Sequence, residues 1–285
     1  MAVIGGLVVV LGAITLGFNM AGGHLGSLLH LSEFITIGGA SFGALIVMSP
    51  KKVLLDVLRS VVLVVKGTPY NKRMCVNMCE LFAELARMVR RDGILALDAH
   101  ISSPQESVLF QKYPRLHRNH HVIDFLCTGL TMIVDGKAQP EQLTAALEDE
   151  VKVIEREHHA AVSVLAKTAD ALPGFGIVAA VLGIVVTMGA IGGAASEIGH
   201  KVGTALVGTF LGILLSYGFF GPMASRCELL GEAELNFFRG MSSAIVALSE
   251  GDPPAEVVVR ARRPIGTDCR PSAAEMIKIV KGEAA

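Results

Sequence analysis

No lysine or arginine precedes Lys51, and between Lys167 and Arg226 only Lys201 interrupts a second silence. Both stretches are apolar and studded with glycine, and each is long enough to cross a bilayer twice. A charged side chain at the bilayer centre costs about 2.5 to 3.5 kcal/mol on insertion scales, so two such silences predict membrane spans. The carboxylates follow the same rule by position: Glu33, Asp170 and Glu197 stand at the edges, with no Asp or Glu inside an apolar run. A chain of this kind that moved protons would need another chain to bring the carboxylate. Only 18% of residues are charged and mean hydropathy is +0.55, whereas soluble domains are about a quarter charged. A net charge of −1 leaves no polybasic footprint, which excludes nucleic acid as an expected partner. The N-terminus lacks a basic region and a cleavage site, so the first apolar run is expected to remain as a span.

A helix needs about 20 apolar residues to cross a hydrocarbon core of about 30 Å. Residues 3–21 meet that need, and residues 34–48 nearly do, closed by Ser49 and Pro50. The turn between them, 22–33, holds His24 and His30 but no Lys or Arg. Residues 172–191 and 202–222 form a second pair, linked by 192–201 with Glu197 and Lys201. From Lys51 to Lys167 there are 16 Lys or Arg and from Arg226 onward 8 more, against one in the short loops. The positive-inside rule then places the basic regions and both termini in the cytoplasm.

All five cysteines, Cys75, Cys79, Cys127, Cys227 and Cys269, fall on that reducing side. Cys75 and Cys79 share a helix face, but no second pair follows at ligand spacing. Core packing is the expected role, and neither a metal nor a cofactor is called for. His120-His121 and His158-His159 lack the HExxH arrangement and read as loop or helix residues.

The first basic region, 51–169, reads as helical, and no stretch alternates long enough to argue for a sheet. Val53, Leu54, Val57, Leu58, Val61 and Val64 make one stripe on a helix over 51–66. Gly67-Thr68-Pro69 breaks it, and residues 71–92 continue with Met74, Met78, Leu81, Leu85 and Met88 until Gly93. A Ser- and Pro-rich loop follows at 102–104. Two further helices are predicted at 121–134 and 139–159. Beyond the last span, 226–250 reads as its amphipathic extension, 260–264 as a basic linker and 271–282 as a short terminal helix.

Arg87, Arg90, Arg91, Asp92 and Asp98 form the most charged cluster. They read either as a solvated helix end or as an electrostatic docking surface, where charge sets specificity and on-rate. Within the spans, Gly39-x3-Gly43 and Gly208-x3-Gly212 allow close helix approach, inside one subunit or between subunits. Thr187, Thr204, Thr209, Ser216 and Tyr217 either bond back to their own helices or line a wet path. Pro173 at the start of the third span and Pro222 at the end of the fourth are ordinary helix-end prolines or a pair of hinges.

The run Leu172-Pro173-Gly174-Phe175-Gly176-Ile177-Val178-Ala179-Ala180 resembles the start of the third span of the MotA family, the membrane subunits of bacterial flagellar stators. Residues 205–214, with Pro222 beyond, resemble that family's signature, as do the opening hairpin, Phe110-x2-Tyr113-Pro114-Arg115 and Arg270-Pro271-Ser272. The resemblance implies a ring of subunits, five by family likeness, around two MotB-type chains whose transmembrane aspartate carries the ion. It implies that Pro173 and Pro222 couple ion passage to the cytoplasmic part. That part would push on the rotor protein FliG through Arg90, Asp98 (where relatives usually carry Glu) and Glu150. Sodium-driven relatives have a threonine where this chain has Ala180, facing the threonine that is Thr209 here, so proton coupling is implied, with Thr209 and Ala180 lining the path.

The expected protein is therefore all-α, with four spans in the inner membrane: a motor and channel subunit, not an enzyme. Its segments are a transmembrane hairpin (1–50), a rotor-facing cytoplasmic domain (51–169), a second transmembrane hairpin (170–222) and a cytoplasmic tail (223–285), with lipid around the spans. An ExbB/TolQ-like motor subunit is the nearest alternative, but those have three spans and lack the opening hairpin. A secondary transporter would need a substrate site with broken helices or internal symmetry, and neither is seen.

Overall fold

A computed structural model of the chain describes residues 2–136, 139–189, 191–192 and 194–283. Among these the regular structure is helical throughout. In chain order the helices are α1 (Ala2–Met20), α2 (Leu31–Met48), α3 (Lys51–Lys66), α4 (Lys72–Asp92), the short α5 (Asp98–Ile101), α6 (Val108–Gln111) and α7 (Pro114–His117), then α8 (His120–Val134) and α9 (Pro140–Met188). α10 (Ala195–Ile213), a π-helical segment (Leu214–Phe220), α11 (Gly221–Ser249), α12 (Pro254–Arg262) and α13 (Ala273–Lys281) complete the chain. Four stretches are long and apolar enough to cross a membrane: Val3–Met20, Leu25–Met48, and windows within Pro140–Met188 and Ala195–Ser249.

The chain forms two compact units, Met1–Gly67 with Glu157–Leu230 and Thr68–Arg156 with Gly231–Ala285. The first holds the apolar helices. Its outward surface is one that water would not tolerate: Val9 is 68% exposed, Val47 88% and Val186 66%. Such a continuous apolar exterior is solvated by lipid. Its interior is thin, with Ile37, Leu172, Ala179 and Leu211 in one cluster and Val57, Val64, Ala161, Leu165, Ala224 and Cys227 in another. The stripe predicted on α3 is only partly inside. Val57 and Val64 are buried, whereas Leu58 points outward with Leu55, because this helix is apolar on more than one side.

The helices of this unit meet where side chains are missing. A Cβ on Gly212 would lie 2.7 Å from the Leu172 carbonyl oxygen and 2.9 Å from the Gly176 Cα, and one on Gly176 would lie 2.8 Å from the Gly208 oxygen. Gly208-x3-Gly212 is thus the seam between α10 and α9 of one subunit. Gly39 and Gly43, by contrast, face open space. Backbone cannot yield as a side-chain tip can. Gly176→Leu and Gly212→Val should therefore force α9 and α10 apart, and overpacking of this kind costs about 1 to 3 kcal/mol or more. The expected result is loss of membrane-accumulated protein on immunoblots, while Gly39→Ala leaves the level unchanged.

The second unit has a conventional core of Met74, Met78, Phe82, Leu85, Phe110, Phe125, Phe237 and Phe238, all nearly inaccessible. Asn71 caps α4 by accepting from the Met74 N–H, and Gly93 ends it at φ +84°, a conformation that favours glycine. Tyr70 donates to Glu234 (2.8 Å) and accepts from Asn119 (3.3 Å). Burial, with Glu234 beside it, holds its phenol protonated well above the usual range. Cys75 and Cys79 pack in this core, where burial pushes each thiol up to about 12. They stay protonated, as packing residues do.

Several boundaries differ from the sequence reading. The stretch expected as a basic linker, 260–264, is mostly helix. α12 runs to Arg262 because Val257, Val258 and Ala261 are buried, while a Cβ on Gly240 of α11 would touch the Ala261 oxygen at 2.6 Å. The helix expected over 139–159 does not stop there but continues to Met188, since 160–172 offers neither glycine nor proline to break it. The loop expected at 102–104 is non-helical, and the residues around it, left unassigned by the sequence, fold into short helical turns at 94–101 and 108–117. The terminal helix carries a full capping box, Ser272 with Glu275.

Candidate ion path and charged surface

In the apolar unit neither proline stands where the sequence placed it. Pro173 lies inside the 49-residue α9 rather than in its first turn. It has no N–H, so the helix loses the bond to the carbonyl four residues back, at Ala169, and the ring presses on that carbonyl. Pro222 likewise does not follow a helix end. It is the second residue of α11, in an unbroken helical run from Ala195 to Ser249. The π-helical segment comes directly before it, and the Gly221 N–H reaches back to the Ser216 oxygen. Kinks cluster at prolines and at π-bulges, and here both weaken one stretch. The routine helix-end reading thus fails for both prolines.

Ala180 and Thr209 belong to the glycine seam. A Cβ on Gly176 would lie 3.3 Å from the Thr209 Cα, and one on Gly208 would lie 3.3 Å from the Ala180 nitrogen. Ala180 is buried and Thr209 half-buried. Two of the other hydroxyls return to their own helices: Thr187 donates to the Gly183 oxygen (2.8 Å) and Thr204 to the His200 oxygen (3.1 Å). Ser216 is buried at the π-segment and Tyr217 is 72% exposed.

One burial gave no sign in the sequence. Glu33 stands at the edge of its apolar run, in the first turn of α2, yet is only 7% exposed. A Cβ on Gly208 would sit 2.7 Å from its Oε2. The carboxylate enters the seam because α10 leaves a gap there, and spacing along α2 alone gives no sign of it.

In the second unit Arg90 lies in the last turn of α4 and Asp98 begins α5, both exposed on either side of residues 93–97. The rest of the charged cluster has local work. Arg87 donates to the Ile279 and Val280 carbonyls (3.4 and 3.2 Å) at the end of α13, and Arg91 is paired with its neighbour Asp92 at 2.8 Å. Arg90 makes no ion pair among the described residues. Asp98 accepts only from Ser102 (3.4 Å) among the described residues. Glu150 lies on α9, half-buried, and burial raises its carboxyl above the ordinary value. Arg90 and Asp98 therefore flank one turn, and Glu150 comes from a different helix.

Two family models match the chain: Motility protein A N-terminal over residues 4–93, and the MotA/TolQ/ExbB proton channel family over 117–239. The Motility protein A of Salmonella typhimurium is 32% identical over 281 residues, covering 99% of this chain and 95% of that protein. The Escherichia coli Motility protein A gives the same identity and coverage. Chemotaxis protein LafT of Vibrio parahaemolyticus is 33% identical over 96% of each chain. Among solved structures, that of C. jejuni MotAB superposes with a TM-score of 0.76 at 22% identity, covering 94% of this chain and 96% of that one. The flagellar MotAB stator complex from Bacillus subtilis gives 0.72 at 24%, covering 89% and 91%.

Proposed function

The chain belongs to the motility protein A branch of the MotA/TolQ/ExbB proton channel family, and on that premise we propose that it is the membrane subunit of a proton-driven flagellar stator. The whole-length identity to Motility protein A carries this reading, because it includes the opening hairpin that a three-span relative would lack. The chain works as a multi-pass inner-membrane protein with both termini in the cytoplasm, in keeping with its distribution of lysine and arginine.

Its partner is a MotB-type chain, whose transmembrane aspartate carries the ion, and five copies ring two copies of that partner. Protons pass along the seam lined by Thr209 and Ala180. An alanine at 180 withholds the second hydroxyl that a sodium ion, which takes several oxygen ligands, would use. The weakened helix stretches at Pro173 and Pro222 convert passage of the ion into movement. Arg90, Asp98 and, on its separate helix, Glu150 deliver the push to FliG, complementary charge giving a contact that forms and breaks quickly.

Co-expression with a MotB-type partner tests this. The two chains should co-purify from membranes, with five copies of this chain to two of the partner by native mass spectrometry. Failure to co-purify, or another ratio, would contradict the proposed assembly.

A further inference from the structure

Glu33 has no place in the mechanism so far. A first-turn glutamate normally turns outward to the helix's free N–H groups and gains about 0.3 to 1 kcal/mol from the macrodipole. Here the side chain goes the other way, into the α2–α10 seam. Its Oε2 is fully enclosed and has no hydrogen-bond partner. Burying a carboxyl oxygen unpaired is costly, and titratable groups at membrane depth mark ion pathways more often than packing.

The surroundings add a route to it. A cavity of 540 Å³ lies between residues 199–210 of α10, the last turns of α1 and the turn before α2, and His30, His200, Ser27 and Thr204 supply its polar lining. That volume accommodates water several times over. His30 Nε2 stands 3.5 Å from Thr204 Oγ1, and the two imidazoles lie 6.4 Å apart. His30 precedes Glu33 by one helical turn, as Thr204 precedes Gly208, so cavity and carboxylate are successive steps along one seam. One step further are Ala180, against the same Gly208, and Thr209, next to it in the chain and against Gly176. The other titratable groups on these elements are Glu197 and Lys201 of α10, which pair with each other at 3.0 Å, and the exposed His24 in the turn before α2. The helical parts of α1, and of α9 from Leu172 to Met188, carry none.

We propose that Glu33 is a proton-carrying residue of this subunit, standing between the His30–His200–Thr204 cavity and the Thr209–Ala180 path. A protonated water or imidazolium in the cavity gives its proton to the Glu33 carboxylate, forming the neutral acid. The acid then passes that proton to the partner's aspartate and returns to carboxylate. This rests on the stator reading above.

The test uses the co-purified complex in vesicles under a proton gradient. Glu33→Gln keeps the shape and hydrogen-bonding capacity of the side chain but carries no proton. Its complex should keep the wild-type subunit ratio while proton flux falls about a hundredfold, the low end for losing a positioned proton-transfer group. Wild-type flux in Glu33→Gln would overturn the proposal and leave the stator reading standing. No flux from the wild-type complex would overturn both. Treatment of the wild-type complex with dicyclohexylcarbodiimide, which modifies protonated carboxyls in apolar surroundings, gives a readout independent of any variant's folding. Peptide mapping should find adduct on Glu33 of this chain, and an unmodified Glu33 beside a modified partner aspartate would count against the proposal.

Discussion

Replacing Pro173 by alanine should abolish torque while leaving the protein at least as abundant as wild type. A proline inside a helix costs about 3 kcal/mol relative to alanine, through the missing N–H and the clash with the carbonyl one turn earlier. Pro173→Ala restores the bond to Ala169 in the middle of α9, so the helix becomes stiffer. The same holds for Pro222→Ala, which removes the ring that follows the π-helical segment. A structural role would show the opposite pattern, with falling abundance and motility falling with it. The measurement is rotation of tethered cells against membrane level of the subunit. Full rotation in both variants would mean that the weak points in α9 and α11 play no part in coupling.

Reversing the exposed charges should be nearly as damaging, for a different reason. Arg90 and Asp98 are at the surface, where substitutions alter stability by about 0.5 kcal/mol or less. Arg90→Glu and Asp98→Lys should therefore leave thermal stability of the solubilised protein unchanged while swimming speed drops severely. Complementary reversals on the rotor protein should restore part of the speed, with coupling of about 0.5 to 3 kcal/mol if the charges meet directly. Arg87 makes an internal control. Its guanidinium holds the last carbonyls of α13, so Arg87→Glu should loosen the protein itself, and no change in the rotor should rescue it.

Much of the architecture was legible because the bilayer imposes a coarse rule on composition. The absence of Lys and Arg before Lys51 and around Lys201 locates the four apolar helices without reference to packing. Helix ends were less legible. Pro173 and Pro222 are breakers by local preference, as are the glycines beside them at 174, 176 and 221, and the helices continue because packing of neighbours such as Leu172, Phe175 and Phe220 overrides that preference. The stretch 260–264 read as a linker from its charge, yet one buried face was enough to carry α12 into it. Glu33 was least legible of all. Its burial depends on a gap at Gly208, which lies 175 positions away in the chain, and one sequence contains no register between α2 and α10. The charged cluster shows the converse. Its members look equivalent in sequence, and only the docking of α13 and the Arg91–Asp92 pair separate structural charges from the exposed Arg90 and Asp98.

The central claim is that this subunit, with its MotB-type partner, turns proton flow into rotation. It is tested most directly in cells whose only stator is this pair, by recording motor speed while external pH and sodium are varied independently at fixed membrane potential. Speed should rise with the inward proton gradient, ignore sodium and vanish when the partner is deleted. A speed that follows sodium, or rotation that persists without the partner, would contradict it.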